Sequence, residues 1–327
     1  MLPPPERQSN CRWKMRSFTD SEIRSLLQPA ELVNAIEAAF ARDYQATAVM
    51  PVRTHVPVQG RGVLLVMPCS DSALPGLGTK LVSFFENAAE RLQATYVLFD
   101  PASGKLRALM AANYLTDVRT AATSVVATRH MARLDAKVLG VFGTGRQARS
   151  HIEVLTAERR FDRILVCGSS PERSRTFATA ISKELGLAVE PADACGCVSQ
   201  SDVICACTTS PTPIFDGTWL RPGTHLNLVG AFQPDKREAD SETMRRARIV
   251  VESYESALVE AGDLLIPMSE GVIGRGHIIA DLHEIVSGKK AGRTSADEIT
   301  VFKNLGCAIE DLVTATLVWQ KAEQHSQ

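Results

Sequence analysis

The chain has 327 residues, 45% hydrophobic and 22% charged, which is enough apolar material to bury a large core and to divide into two domains. Its 36 Lys and Arg balance 37 Asp and Glu, for a net charge of −1, and no basic block or Lys/Arg stripe interleaved with aromatics occurs, which argues against nucleic acid as a partner. The opening Met1-Leu-Pro-Pro-Pro-Glu6 lacks a basic flank leading into an apolar stretch, and no apolar run approaches bilayer-spanning length, so a cytoplasmic protein with no membrane partner is expected.

In chain order, apolar spacing predicts an amphipathic helix over 29–44, then strands over 63–67, 79–85 and 94–99. Turns are expected between them at Pro75-Gly-Leu-Gly78 and Asp100-Pro-Ala-Ser-Gly104. This texture predicts an α+β unit with an antiparallel sheet. From Val138 the pattern changes to an apolar run that ends in Gly143-Thr-Gly-Arg-Gln-Ala148, with Ile152, Val154 and Leu155 at helical spacing behind it. A strand over 163–167, a helix over 171–185, a short strand near Ala188 and strands over 203–206, 225–229 and 248–252 follow. Such alternation predicts an α/β fold with a doubly wound parallel sheet of the Rossmann type. The segment 300–320 reads as a helix with Val301, Leu305, Ile309, Leu312 and Val313 on its apolar face, returning to pack on the first unit. The expected domains are 1–117, completed by 303–327, and 118–302.

The strand-turn-helix around Gly143 carries the first chemical signal. Gly143 permits a tight turn off the strand, Gly145 lets backbone approach a pyrophosphate, and the small Ala148 lets the helix pack on the sheet with its N-terminal amides toward the anion. Thr144, Arg146 and Gln147 would line the phosphate turn, Thr208 the end of the fourth strand, and Val229 and Ala231 the floor beneath a nicotinamide. At the tip of the second strand the chain reads Gly168-Ser169-Ser170-Pro-Glu-Arg173, with no carboxylate to accept from ribose hydroxyls. Hydroxyls and a guanidinium suit a 2′-phosphate, so NADP(H) is expected to be preferred over NAD(H), which remains possible, with Ser169, Ser170 and Arg173 around the phosphate. Of the eight cysteines, Cys195/Cys197 and Cys205/Cys207 do not form Cys-x-x-Cys pairs. They read as reduced, mostly buried thiols, and no metal is expected.

Five stretches go further than the glycine turn: Gly78-Thr-Lys-Leu-Val-Ser-Phe-Phe-Glu86, Leu115-Thr-Asp-Val-Arg-Thr-Ala-Ala-Thr123, Gly143-Thr-Gly-Arg-Gln-Ala148, Gly223-Thr-His-Leu-Asn-Leu-Val-Gly-Ala231 and Phe302-Lys-Asn-Leu-Gly-Cys-Ala-Ile-Glu-Asp311. Together they resemble the ornithine cyclodeaminase/μ-crystallin family. The resemblance implies a homodimer formed through the N-terminal domains, an active site in the cleft between the domains, and a small amino or imino acid substrate. It also implies that Arg53, Lys80 and Arg119 bind the substrate carboxylate, a role that suits charge-assisted donors.

Two departures choose among the branches of that family. Where cyclodeaminases carry an acid before a Met-Pro pair and another after a Val-Gly-Gly turn, this sequence has Leu65 and Phe232, which carry no proton. The expected activity is therefore NADPH-dependent reduction of a cyclic ketimine carboxylate, Δ1-pyrroline-2-carboxylate or Δ1-piperideine-2-carboxylate, to the L-amino acid. The alternatives are an ornithine cyclodeaminase, an alanine dehydrogenase-like enzyme, and a non-catalytic NADPH-linked ligand carrier. Lys80, crowded by two arginines, is a candidate proton donor. Asn87, His225, His277 and His283 read as structural polar groups, and Glu310 and Asp311 as structural or cleft-edge residues.

Overall fold

The computed structural model describes residues 15–325 apart from 75, 86, 89 and 91, so Pro75 of the expected turn and Glu86 of the first motif lie outside the described residues. Two sheets are built. The first contains β1 (Arg16–Phe18), β2 (Ala48–Val49), β3 (Thr54–Val58), β4 (Gly62–Asp71), β5 (Gly76–Phe84), β6 (Leu92–Phe99) and β7 (Leu106–Ala111). Its order is β1-β7-β6-β5-β4-β2, with β3 also paired to β4; only the β1–β7 pair is parallel. The second contains β8 (Val138–Phe142), β9 (Arg163–Cys167), β10 (Val189–Pro191), β11 (Val203–Ala206), β12 (His225–Leu228), β13 (Ala247–Val251), β14 (Ile278–Asp281) and β15 (Ile299–Lys303). All eight pair in parallel in the order β10-β9-β8-β11-β12-β15-β13-β14, the doubly wound arrangement. The central strands β11, β12 and β15 are buried at every position, as a parallel sheet covered on both faces requires.

Three expectations need correction. Residues 299–303 are not the start of the last helix but β15, inserted between β12 and β13; the helix there is Ala308–Gln324. Thr300, Val301 and Phe302 are β-branched and aromatic, and Gly306 at φ 84° ends the run before the helix begins. Gly76, Leu77 and Gly78 are not a turn but the first residues of β5, where Gly78 is required because a Cβ there would lie 2.3 Å from Tyr96 Oη of the neighbouring strand. The first amphipathic helix ends at Ala41 (Pro29–Ala41), and a separate short turn of helix, Tyr44–Thr47, follows.

The helix Asn113–Met131 joins the two halves. Sixteen of its nineteen residues are buried, because it packs against the Pro29–Ala41, Arg146–Glu158 and Ala308–Gln324 helices and touches β6 of the first sheet and β12 and β15 of the second. Arg119 therefore reaches the interior on a helix with almost no solvated face.

Candidate active site

Strand alternation delivers Lys80 to the interior. On β5 the residues Gly76, Gly78, Lys80 and Val82 share the buried face, and the register sets Lys80 between Met67 of β4 and Tyr96 of β6. The Ala308–Gln324 helix covers that face, and its Asp311 meets the ammonium: Lys80 Nζ donates to Asp311 Oδ1 at 2.8 Å. Arg119 Nε donates to the same oxygen at 2.9 Å, and Arg119 Nη1 donates to Glu310 Oε2 at 2.8 Å. Arg53, in the loop before β3, donates from Nη2 to the carbonyl of Leu305 at 2.8 Å and pairs through Nε with Glu260 Oε2 at 3.1 Å. Lys80 is 1% exposed and Arg119 4%; neither is the solvated surface charge these residue types usually form.

The three cations line one cavity of about 250 Å³. Gln147 of the glycine turn, Thr208 behind β11 and Val229 behind β12 line it as well, so the structure brings together six of the sequence-derived site residues from both halves of the chain. The rest of the wall is largely apolar, with Leu65, Val82, Phe84, Leu92 and Phe232. Phe84 and Phe232 meet edge to face, centroids 6.2 Å apart. Leu65 and Phe232, the apolar replacements for two acids, thus lie on the cavity wall itself.

Burial, with Arg119 and Arg53 near, pulls the Lys80 pKa down to about 7, against the opposing pull of Asp311. Burial also raises the Glu252 carboxyl. Glu252 accepts from the backbone N–H groups of Leu305, Gly306 and Cys307 and so fixes the loop behind Arg53 and Arg119. Glu252, Cys307 and Glu310 are close enough for their ligand atoms to share an ion, but these three amides already occupy the Glu252 oxygens, and burial holds the Cys307 thiol in its protonated form.

The glycine turn fits a dinucleotide pyrophosphate. Gly143 has φ 107° and a Cβ there would lie 2.4 Å from the carbonyl of Cys207, whereas a Cβ on Gly145 would meet nothing within 4 Å, leaving open space at the N-terminus of the Arg146–Glu158 helix. Ala148 is fully buried against the sheet. Thr144 is half-buried beside Gly168, and Arg146 pairs with Asp117 Oδ2 at 3.3 Å. Ala231 is buried behind the Val229-Gly230 turn. Ser169 and Ser170 line a second cleft, of about 420 Å³, at the tip of β9. Arg173 is exposed and does not line it; Arg175, one helical turn from Pro171, does, together with Asp193 of the opposite wall. Ser170 caps the Pro171–Leu185 helix by accepting from Arg173 N–H.

Other polar residues serve the scaffold. His225 is buried against Thr300 Oγ1 at 2.9 Å with its pKa lowered to about 3 by burial, and His283 is bonded to the Phe40 carbonyl at 2.7 Å. Asn87 and His277 are exposed. Glu310 and Asp311, read as structural or cleft-edge residues, are buried and pair directly with Lys80 and Arg119. Two acids set among the apolar Ile309, Leu312 and Val313 at the start of that helix were the available signal, since charges on a buried face are retained only with partners.

Residues 14–326 match the model of the ornithine cyclodeaminase/mu-crystallin family. Ketimine reductase mu-crystallin of Rattus norvegicus is 40% identical over 91% of this chain and 94% of its own length. Delta(1)-pyrroline-2-carboxylate reductase of Bacillus cereus is 36% identical over 94% of this chain and 97% of its own. Among solved structures, Delta(1)-pyrroline-2-carboxylate reductase of Thermococcus litoralis in complex with NADH and L-proline superposes with a TM-score of 0.92 at 39% identity, covering 95% of this chain and 98% of that one.

Proposed function

The chain belongs to the ornithine cyclodeaminase/mu-crystallin family, and from that premise we propose that it is an NADPH-dependent reductase of a cyclic ketimine carboxylate, Δ1-pyrroline-2-carboxylate or Δ1-piperideine-2-carboxylate, yielding the L-amino acid. The observation that carries this reading is the cavity itself: three cations line it together with a largely apolar wall that includes Leu65 and Phe232. Such a cavity suits a small carboxylate whose remaining skeleton bears no second charge, and it offers no acid on those walls to handle the δ-amine of ornithine. That disfavours the cyclodeaminase alternative.

When bound, the reduced nicotinamide supplies the hydride for the imine carbon. Arg53, Lys80 and Arg119 are the substrate-binding residues in this reading, holding the carboxylate, and the assembly is a homodimer. The bonds to Asp311 and Glu310 use Nε and Nη1 of Arg119 and leave Nη2 for the ligand, while Lys80 keeps two of its three donors. The apolar wall excludes water from the ring, and Lys80 is the proton source for the imine nitrogen. Ser169, Ser170 and Arg175 favour a 2′-phosphate, the basis for preferring NADPH to NADH.

The test is NADPH absorbance with the purified protein and each of the two cyclic imines, pyruvate plus ammonia, and ornithine with NAD⁺. One NADPH consumed per imine supports the reading. Proline and ammonia from ornithine without net change in cofactor would overturn it, turnover only with pyruvate and ammonia would move the assignment to an alanine dehydrogenase, and tight NADPH binding with no turnover at all would make the chain a ligand carrier.

A further inference from the structure

Two loops at the carboxyl ends of neighbouring strands, Thr208 behind β11 and Val229-Gly230 behind β12, form one wall of the cavity, at the edge of the sheet where open α/β folds bind their ligands. They are in backbone contact: a Cβ on Gly230 would lie 1.8 Å from the carbonyl of Thr208. One carboxylate spans both. Glu238 Oε1 accepts from Thr208 N–H at 2.6 Å and Thr208 Oγ1 at 2.7 Å, and Oε2 accepts from Gly230 N–H at 2.6 Å and Ala231 N–H at 3.3 Å.

Glu238 is itself anchored from behind. Its own N–H and that of Ala239 donate to Asp263 Oδ1 at 2.7 and 3.0 Å, and Asp263 Oδ2 takes Lys303 Nζ at 2.9 Å from the end of β15. All three charged side chains are 0% exposed. A buried ionic chain of this length is expensive to desolvate and is a poor way to gain stability alone. Every group that Glu238 meets in the two loops is a donor, so only a side chain with two acceptor oxygens satisfies them; glutamine would turn an NH2 against the amides of one loop or the other.

Resting on the cofactor reading above, we infer that Glu238 is a positioning residue for the nicotinamide half of the dinucleotide, clamping the Thr208 and Val229–Ala231 loops into one rigid wall. It touches neither cofactor nor substrate. Its effect is confined to the end of the dinucleotide that these loops face and does not extend to the adenosine cleft at Ser169 and Ser170.

The experiment titrates the full-length protein, wild type, Glu238→Gln and Glu238→Asp, with NADPH by fluorescence and with 2′,5′-ADP, which carries only the adenosine half. Glu238→Gln is expected to weaken NADPH binding by about tenfold or more, the loss of a charge-assisted bond, and to leave 2′,5′-ADP within about twofold. Glu238→Asp, which keeps the carboxylate but is one methylene too short to span both loops, shifts NADPH about threefold in the same direction and decides the matter if Glu238→Gln does not fold. Equal losses for both ligands, or none for NADPH, would overturn the assignment to Glu238 while leaving the cofactor reading intact. A wild-type protein that binds neither NADPH nor NADH overturns the cofactor reading, and this inference with it.

Discussion

Lys80 sits between opposing influences: burial and the flanking guanidiniums favour its neutral form, and Asp311 favours the ammonium. With the pKa near 7, the protonated amine that would donate to the imine is lost as pH rises through neutrality, so kcat/KM should fall above about pH 7. Asp311→Asn removes the carboxylate that hydrogen-bonds the ammonium and supports its charge, so the same inflexion should move to lower pH; measuring both proteins with one substrate cancels the substrate's own ionisation. An unchanged inflexion would separate Lys80 from the pH profile. Lys80→Met should reduce kcat/KM by more than about tenfold, and a loss under about threefold, less than about 1 kcal/mol, would remove it from the mechanism. At the other end of the dinucleotide, Arg175 rather than Arg173 faces the cleft with Ser169 and Ser170. Arg175→Ala should raise the KM for NADPH by about tenfold, the scale of one charge-assisted bond, and leave that for NADH within about twofold.

The unit that assembles the cation cluster is β15, the turn at Gly306 and the Ala308–Gln324 helix. Gly306 has φ 84°, and a Cβ there would lie 2.3 Å from Arg119 Nη1. Gly306→Ala should therefore combine backbone strain of about 1–3 kcal/mol with displacement of Arg119 from Asp311 and Glu310. A fall in Tm accompanied by a rise in the KM for imine is expected; a lower Tm with unchanged KM would confine the glycine to folding. This same unit was the least legible part of the sequence. The residues of β15 continue into the helix with apolar spacing that fits either period, and only β-branching and the glycine separate them. The parallel sheet was legible because glycine turns and strand-helix alternation are local signals, Lys80 and Arg119 because they fall in recognisable stretches, and Arg53 only through the family resemblance. The partners of those cations were not, since the Lys80–Asp311 contact joins residues 231 positions apart. Glu238 lies in an irregular segment with no periodicity at all, and its role exists only once two strand ends are adjacent.

Across the whole molecule the cavity belongs to neither sheet. Gln147, Thr208 and Val229 come from the nucleotide side, Arg53 and Lys80 from the first sheet and its loops, and Arg119 from the helix that joins them. Ligands that bind the folded state should stabilise it in proportion to RT ln(1 + [L]/Kd), about 2.7 kcal/mol at a hundredfold excess over Kd. NADPH at that excess should raise Tm by about 4 °C, and NADH at the same concentration by about 2 °C less for each tenfold difference in affinity, about 1.4 kcal/mol. Equal shifts would remove the preference for NADPH. With the carboxylate held by Arg53, Lys80 and Arg119 as proposed, L-proline added to the NADP⁺-bound protein should raise Tm further. The two increments separate the halves of the site. Lys80→Met should keep the nucleotide increment and lose most of the proline one, whereas a variant that retains the proline increment would show that the carboxylate binds without Lys80.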